Sequence, residues 1–262
     1  MTESEIEHVA RRLRGAYSGR TIEPLRDSLD TQDAAGAYAI QAINTRFWRD
    51  AGRRVVGRKA GLTNPAVQRQ LGVDQPDYGV LFEDMRIVNG GFLDPARTIQ
   101  PKAEAEIAFV VGLDLPDGAP DRSRMADAVR TAHAAIEIVD SRITEWRISF
   151  ADTVADNGSS AFFVMEDAGV EIGSLELEKC HMSMQVNGEE VSTGVGSAVL
   201  GHPLDAASWL ANTLAEQGDP LRAGDIVLAG AMGPMITLSP GDVVRTIIED
   251  IGECGFGFRG AR

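Results

Sequence analysis

The hydrophobic pattern of the first part of the chain is helical. Apolar residues recur every three or four positions over residues 4–16 and again over 31–51, which predicts two amphipathic helices. Asp33 is the expected N-cap of the second helix, and Gly52 is expected to end it. We therefore predict a helical N-terminal region over residues 1–55.

Beyond that region the apolar residues form short runs broken by Gly, Pro and Asp, which is typical of β-strands. Such runs occupy residues 53–62, 80–88, 104–115 and 134–143. Asn187-Gly188 separates two further strand-like segments and predicts a hairpin, and residues 205–218 predict a helix. Strands do not alternate regularly with helices, so a Rossmann fold or a TIM barrel is not expected. The pattern predicts an α+β protein in which a rolled or barrel-like sheet, residues 56–262, forms one functional unit with the helical region.

The charge balance excludes several classes of partner. The chain has 262 residues and a formal net charge of -14, which disfavours binding to nucleic acids and to anionic membrane surfaces. No stretch approaches the ~20 apolar residues of a membrane span, and the first residues lack the apolar centre of a signal peptide. Cys180 and Cys254 are not in a paired motif. We therefore expect a cytoplasmic protein with two unreactive thiols.

Two acidic residues interrupt one of the apolar runs. Glu104 and Glu106 lie two positions apart in KAEAEIAFVV, so their side chains share one face of the predicted strand. Glu137 lies in a second apolar run, AAIEIV, and is flanked as if it were buried. Buried carboxylates need a counter-charge, and three that converge offer the oxygen ligands that Mg²⁺ or Mn²⁺ prefers. The histidines are scattered, which makes zinc a poorer match.

Simpler interpretations of these residues stay open. An E-x-E pair is common on the polar face of a half-exposed sheet, and Glu137 could instead pair with Arg142. Lys59 lies between Gly57 and Gly61, whose small size allows a ligand to approach, although an isolated lysine is commonly a surface charge. Beside a metal ion, Lys59 would bind a substrate carboxylate or move a proton.

A polar segment follows the predicted Glu137 strand. Residues 140–162 are rich in Asp, Asn and Ser and predict a long loop or a short helix at a strand end, where binding groups gather. A solvated turn is the alternative. No Ser-His-Asp arrangement, Walker loop or G-x-S-x-G motif is present.

Five sequence blocks, found in order, carry a resemblance to a known family. They are GRKAGLTNPAVQRQLGVDQPDYGVLFEDM, PKAEAEIAFVVGLDL, AIEIVDSRITEWRISFADTVADNGSSAFFV, GHPLDAASWLANTLAEQGDPLRAGDIVLAGAMGPM and PGDVVRTIIEDIG. From about Asp33 to about Phe258 the chain resembles the 2-keto-4-pentenoate hydratase and 4-oxalocrotonate decarboxylase family of the fumarylacetoacetate hydrolase-like superfamily.

The resemblance implies a fold and a site. The fold is a mixed β-roll or barrel core of the fumarylacetoacetate hydrolase C-terminal type with a helical N-terminal region. The metal is Mg²⁺ or Mn²⁺, and the matching ligands are Glu104, Glu106 and Glu137. The active-site lysine, acid and serine of the family match Lys59, Asp77 and Ser160. Arg58 departs from the family pattern, in which an apolar or uncharged residue is expected.

The resemblance also implies an activity. A hydratase of this family adds water to a 2-hydroxypenta-2,4-dienoate-type substrate and gives a 4-hydroxy-2-oxo acid, in meta-cleavage catabolism of aromatic compounds. Asp77 and the turn AGAMGPM favour the hydratase. A metal-dependent 4-oxalocrotonate-type decarboxylase is the alternative. An acylpyruvase-type C–C hydrolase is the third choice, because the only early histidine available for its dyad is His8.

Expected partners follow from the same resemblance. The ligand is a small 2-hydroxy-dienoate or 2-oxo acid, and the chain is expected to assemble as a homo-oligomer. An association with a decarboxylase or an aldolase of its pathway stays open. Neither nucleic acid nor membrane is an expected partner.

Overall fold

The computed structural model of the protein describes residues 1–65, 68–69, 72–119 and 121–260. Residues 66–67, 70–71, 120 and 261–262 of the predicted β-roll domain therefore lie outside the described part. The helices are α1 (Glu3–Ala16), α2 (Ala34–Asp50), α3 (Arg122–Ala128), α4 (Phe150–Ala155) and α5 (Pro203–Glu216). The strands are β1 (Val55–Gly61), β2 (Asp77–Phe82), β3 (Arg86–Ile87), β4 (Phe92–Leu93), β5 (Lys102–Val111), β6 (Val129–Val139), β7 (Ser160–Met165), β8 (His181–Val186), β9 (Glu189–Val195), β10 (Ile226–Ala231), β11 (Ile236–Thr237), β12 (Val243–Ile248) and β13 (Gly252–Phe258).

Two mixed β-sheets form the centre of the molecule. The larger sheet has eight strands in the order β2-β1-β10-β5-β6-β7-β3, with β11 paired to β5, and the smaller has five in the order β4-β13-β12-β8-β9. The long antiparallel pair of β5 and β6 lies in the middle of the larger sheet. Both strands are buried over most of their length, so their apolar residues form continuous runs and do not alternate with polar ones.

Local sequence accounts for the starts of both N-terminal helices, and the predicted cap of α2 is confirmed. Thr2 and Glu5 form a capping box at the start of α1, in which each residue's side chain bonds the other's backbone N–H. The Asp33 side chain accepts a hydrogen bond of 2.8 Å from the Gly36 N–H at the start of α2. Gly52, with φ of +93°, follows the end of that helix. The two N-terminal helices are thus specified by local sequence.

The N-terminal helices share a core with the rest of the chain. Leu13 of α1 and Ile40 of α2 pack in one apolar cluster with Phe150 and Val154 of α4. Gln41 is buried, and its side-chain amide donates 2.9 Å hydrogen bonds to the backbone oxygens of Tyr78 and Val154. The helical region is therefore part of the scaffold that holds β2.

The remaining local predictions also hold. Asn187 and Gly188 join β8 to β9 with φ of +54° and +89°, the signs that a two-residue hairpin turn requires. The polar segment over residues 140–162 contains α4 and the start of β7. Within the described part of the chain, we find no helix with the length and apolar character needed to span a membrane.

Candidate active site

The pairing of β5 with β6 brings three carboxylates together. Glu104 and Glu106 lie on the same face of β5, and the strand register places Glu104 directly opposite Glu137 of β6. One carboxylate oxygen from each residue lies within 4.8 Å of the others. The side chains that the sequence suggested as metal ligands therefore form one cluster at the centre of the larger sheet.

The cluster contains carboxylate oxygens without hydrogen-bond partners. Glu106 is 1% exposed and Glu137 is fully buried. One Glu106 oxygen accepts a 2.7 Å hydrogen bond from the Gly230 N–H. The other Glu106 oxygen and both Glu137 oxygens lack a hydrogen-bond partner among the described residues. Burial of such groups is costly unless a cation compensates them, so the donor set fits a divalent ion with oxygen ligands.

Protonation of the cluster reflects burial and mutual repulsion. Burial first and the nearby Glu137 carboxylate second raise the pKa of Glu104, Lys59 opposes both effects, and the net result is a pKa of about 7. Burial, followed by the charges of Glu137 and Glu104, raises the pKa of Glu106 well above its usual range. Without a bound cation, these two carboxyl groups are therefore biased towards the protonated form.

Lys59 supplies the positive charge next to the cluster. It lies on β1, is 3% exposed, and its Nζ is 3.6 Å from Glu137 Oε2. Burial alone would lower the pKa of Lys59, but the carboxylates around it, Glu137 first and Asp77 second, raise that pKa above its usual value. Lys59 is therefore a cation held by the acidic cluster and not a surface charge.

Asp77 lies on the other side of Lys59. The register of β1 and β2 pairs Gly61 with Asp77, and the Asp77 side chain is buried with neither oxygen hydrogen-bonded within the described structure. Burial raises the pKa of Asp77, and the charge of Lys59 opposes the increase. A Cβ at Gly61 would overlap Asp77 Oδ1 and lie 2.9 Å from Lys59 Nζ. The glycine therefore makes room for both charged groups.

The described contacts connect Ser160 less directly with the carboxylate cluster. It is the first residue of β7, pairs with Val139 of β6, and its buried hydroxyl has no hydrogen-bond partner among the described residues. Ser160 also borders a separate cavity of about 460 Å³ that Tyr17 and Arg142 help to line. The described contacts do not join Ser160 to the carboxylates, so its role stays a prediction.

A cavity of about 500 Å³ opens next to Glu104. Its described lining is mostly apolar or uncharged: Gly61, Leu62, Thr63, Asn64, Thr193, Ala231, Met232, Gly233, Pro234 and Met235. Glu104 is the single charged residue of that described lining, which includes no Lys, Arg or His. The turn AGAMGPM, which the sequence associated with the hydratase, thus forms one wall of the cavity.

Three alternatives raised by the sequence are resolved. Arg142 pairs with Asp156 at 2.6 Å, so the suggested pairing of Arg142 with Glu137 is wrong. Arg58 is buried against Asp219, and because neighbours on a strand point to opposite faces, it does not share the face of Lys59. His8 is exposed on α1, so it does not serve as the buried base of an acylpyruvase-type dyad.

Sequence reasoning did not single out Gly230 or Gly158, and it placed Asn157 in the polar segment over residues 140–162 without assigning it a contact. Gly230 anchors Glu106 through its backbone N–H, and a Cβ at Gly158 would overlap the end of the Lys59 side chain. Asn157 bonds the backbone of β2 through its side-chain amide. The segment DNGSS signals a turn, but it does not reveal which strand or side chain the turn contacts.

The fold and the clustered charges fit a metal-dependent enzyme that acts on a small molecule. The chain matches the fumarylacetoacetate (FAA) hydrolase C-terminal family over residues 60–258. It is 51% identical over 237 residues to 2-keto-4-pentenoate hydratase 1 of Dechloromonas aromatica (strain RCB), and the aligned region covers 89% of each chain. It is 40% identical over 256 residues to 2-hydroxyhexa-2,4-dienoate hydratase of Comamonas testosteroni, and the aligned region covers 97% of each chain.

A solved structure extends the comparison to the whole fold. The chain superimposes on 4-oxalocrotonate decarboxylase from Pseudomonas putida G7, complexed with magnesium and adipate, with a TM-score of 0.94 and 30% identity over 98% of each chain. The protein belongs to the fumarylacetoacetate hydrolase C-terminal family. The family and the fold class predicted from the sequence are therefore confirmed.

Proposed function

We propose that the protein is a hydro-lyase that adds water to a 2-hydroxypenta-2,4-dienoate-type substrate and yields a 4-hydroxy-2-oxo acid, in meta-cleavage catabolism of aromatic compounds. The observation that carries the proposal is the buried cluster of three carboxylates next to Lys59 and Asp77, which opens into an apolar cavity. Relatives with 51% and 40% identity carry hydratase names, which supports it.

The metal site is assigned to the three clustered carboxylates. Glu104, Glu106 and Glu137 would hold one Mg²⁺ or Mn²⁺ through one carboxylate oxygen each, and Glu106 and Glu137 offer oxygens without a hydrogen-bond partner among the described residues. The ion, when bound, supplies a Lewis acid that polarises the 2-oxygen of the substrate. Magnesium in the decarboxylase structure supports this choice of ion.

Lys59 would help to bind the substrate, and Asp77 would transfer protons. The Lys59 ammonium offsets the negative charge of the cluster, so a substrate carboxylate can bind beside it. The buried Ser160 hydroxyl, which has no hydrogen-bond partner among the described residues, would donate a hydrogen bond to that carboxylate. Asp77 has a raised pKa and free oxygens, so it is suited to accept and return protons. Its position beside Lys59 makes it the proposed general acid and base.

The carbon chemistry then balances in two steps. Loss of the 2-hydroxyl proton and protonation of C5 convert the dienol into a 2-oxo-3-enoate, whose C4 is electrophilic. The oxygen of water bonds to C4, one of its protons is taken up by Asp77, and C3 gains a proton. The net change is the addition of one water molecule, and each well-placed proton-transfer group contributes about 10²–10⁴-fold to such a reaction.

A decarboxylase is the second candidate, because the solved relative with 30% identity has that activity in its name. A 4-oxalocrotonate-type substrate carries a second carboxylate. The described lining of the cavity offers that carboxylate no positive side chain. The cavity therefore favours a monocarboxylate with a short apolar end.

Substrate preference and two variants test the function. We expect the Mn²⁺-loaded protein to hydrate 2-hydroxypenta-2,4-dienoate, measured by loss of dienol absorbance, with little CO₂ release from 4-oxalocrotonate. Lys59→Ala should lower kcat by about 100-fold or more while Mn²⁺ still binds, because a proton-transfer or charge-pairing group is lost. Glu106→Gln should weaken Mn²⁺ binding, measured by calorimetry. Preferred CO₂ release, or wild-type kcat in Lys59→Ala, would contradict the assignment.

The assembly, the location and the domain arrangement are further proposals. Phe92 and Val243 are 64% and 60% exposed and flank Gly257 on the smaller sheet, an apolar surface that suits a homo-oligomer. Light scattering would test the subunit number, and co-purification would test association with a pathway decarboxylase or aldolase. We propose that residues 1–55 and 56–262 work as one unit in the cytoplasm, which truncation and cell fractionation would test.

A further inference from the structure

A strained turn lies next to Lys59. Asn157, Gly158 and Ser159 have φ of +59°, +62° and +55°, so three successive residues are left-handed. For the two that are not glycine this conformation costs about 1–2 kcal/mol per residue, and it persists where surrounding contacts enforce it. The contacts that enforce this turn therefore indicate what it is for.

The Asn157 side chain ties the turn to strand β2. Its Oδ1 accepts a 2.7 Å hydrogen bond from the Val80 N–H, and its Nδ2 donates a 3.0 Å hydrogen bond to the Val80 oxygen. Because β2 is an edge strand of the larger sheet, these two Val80 groups face away from β1. The Asn157 amide thus pairs with β2 as a neighbouring strand would.

The same turn also contacts the Lys59 side chain. A Cβ at Gly158 would overlap Lys59 Cε and lie 3.0 Å from Lys59 Nζ. A Cβ at Gly79 of β2 would overlap the Asn157 backbone oxygen, so the backbone of the turn packs closely on β2 as well. The Asn157–Gly158 backbone therefore lies directly against β2 and against the end of the lysine.

Hydrogen bonds also fix both flanks of the turn. Arg142 Nη2 donates hydrogen bonds to the backbone oxygens of Asp156, at 2.8 Å, and Ser160, at 3.2 Å. The Ser159 oxygen accepts a 2.8 Å hydrogen bond from the Asp140 N–H. With both flanks anchored, loss of the Asn157 contacts would release the middle of the turn, where Gly158 meets Lys59.

We propose that Asn157 is a positioning residue for Lys59. By pairing with Val80 it holds the backbone of Gly158 against the lysine, so that the ammonium stays at 3.6 Å from Glu137 and beside Asp77. Asn157 acts through the backbone and touches no reacting atom. The inference rests on the proposed catalytic role of Lys59.

The kinetic test compares two substitutions at one position. Asn157→Ala removes the amide, and Asn157→Gly removes it while favouring the left-handed backbone. We expect both to lower kcat for the dienoate by about 10- to 100-fold, because a misplacement of about 1 Å is enough for such a loss. The Mn²⁺ affinity should change by less than about 3-fold, since the clustered carboxylates lie on β5 and β6 and not on β1. Ser159→Gly, in the same turn, is the control and should keep its kcat.

Three results would overturn the inference. Wild-type kcat in Asn157→Gly would show that the backbone conformation suffices without the amide. Equal losses of kcat and Mn²⁺ affinity would show a general loss of structure. A crystal structure of Asn157→Gly in which Lys59 Nζ stays 3.6 Å from Glu137 Oε2 would also overturn it. This structural result decides the positioning role even if the wild-type protein does not hydrate the dienoate, an outcome that refutes the proposed function alone.

Discussion

At the scale of single residues, the cavity discriminates by charge and not by size. Its volume of about 500 Å³ would admit a second carboxylate, but Glu104 is its single charged residue among those described. A substrate with an anionic far end would bury that charge with no positive side chain of the described lining to offset it. Discrimination between a dienoate and a dicarboxylate therefore depends on which side chain meets the far end of the substrate.

Met235 offers a direct test of this argument. It lines the cavity and is 45% exposed, so a charged side chain there would keep contact with water. We expect Met235→Lys to lower KM for 4-oxalocrotonate by about 3- to 5-fold, the size of a partly exposed ion pair, with KM for the dienoate little changed. Steady-state kinetics with both substrates measures the effect. Met235→Gln is the control, and an equal effect of glutamine would mean that charge is not the cause.

At the scale of secondary-structure elements, the features that depend on local sequence were predictable, and the features that depend on long-range strand pairing were not. The periodicity of α1 and α2, the cap and stop of α2 and the Asn187-Gly188 turn are local, so the sequence predicted them. The E-x-E spacing predicted that Glu104 and Glu106 share a face. It did not place Glu137 opposite Glu104, because strand register depends on packing of the whole sheet. The apolar flanks of Glu137 suggested that grouping as a hypothesis, and the family resemblance supported it.

The turn over residues 156–160 shows the same limit. Its composition predicts a turn, but the anchoring of that turn by Arg142 joins two segments whose pairing is not evident from spacing. Sequence reasoning suggested Glu137 as the partner of Arg142, and the structure gives Asp156. A buried ion pair is specified by the surroundings of both partners, which sequence distance does not describe.

The Arg142–Asp156 pair supports a stability prediction. Both side chains are buried, and the Asp156 carboxylate accepts from the side chain and the backbone N–H of Arg142. Asp156→Asn would leave the guanidinium buried without its counter-charge, which costs about 3–5 kcal/mol of unfolding free energy. Urea unfolding measures this loss.

The control is a surface pair of the same type. Arg147 and Glu23 lie 2.8 Å apart with side chains 49% and 68% exposed. Glu23→Gln should change the unfolding free energy by no more than about 1 kcal/mol, because solvent screens the exposed pair. If Asp156→Asn were no more destabilising than Glu23→Gln, the buried pair would not anchor the turn.

At the scale of the whole molecule, the acidic site sits in an acidic protein. The chain has a net charge of -14, so no general excess of positive charge compensates the cluster. Lys59 is the one cation within 4 Å of the clustered carboxylates in the described structure. The remaining negative charge is relieved by protons or by a divalent ion, and these two compete. Folding stability, metal binding and pH should therefore be coupled.

The sign of this coupling follows from the pKa of Glu104. Burial raises that pKa from 4.5 to about 7, so between these values the metal-free folded protein binds more protons than the unfolded chain. Its stability is therefore highest below the unfolded pKa and is lost as pH rises through the folded pKa. A bound divalent ion needs the ionised carboxylates and displaces those protons, so it should stabilise the protein more as pH rises.

Thermal unfolding of the metal-free and the Mn²⁺-loaded protein tests this coupling. We expect the Tm of the EDTA-treated protein to fall by a few degrees between about pH 6 and about pH 8, and the increase in Tm caused by Mn²⁺ to be larger at the higher pH. Glu104→Gln, which removes the titrating group, should flatten the fall of the metal-free Tm. A fall of equal size in Glu104→Gln, or an increase with Mn²⁺ that is independent of pH, would show that the clustered carboxylates do not link protons to the metal.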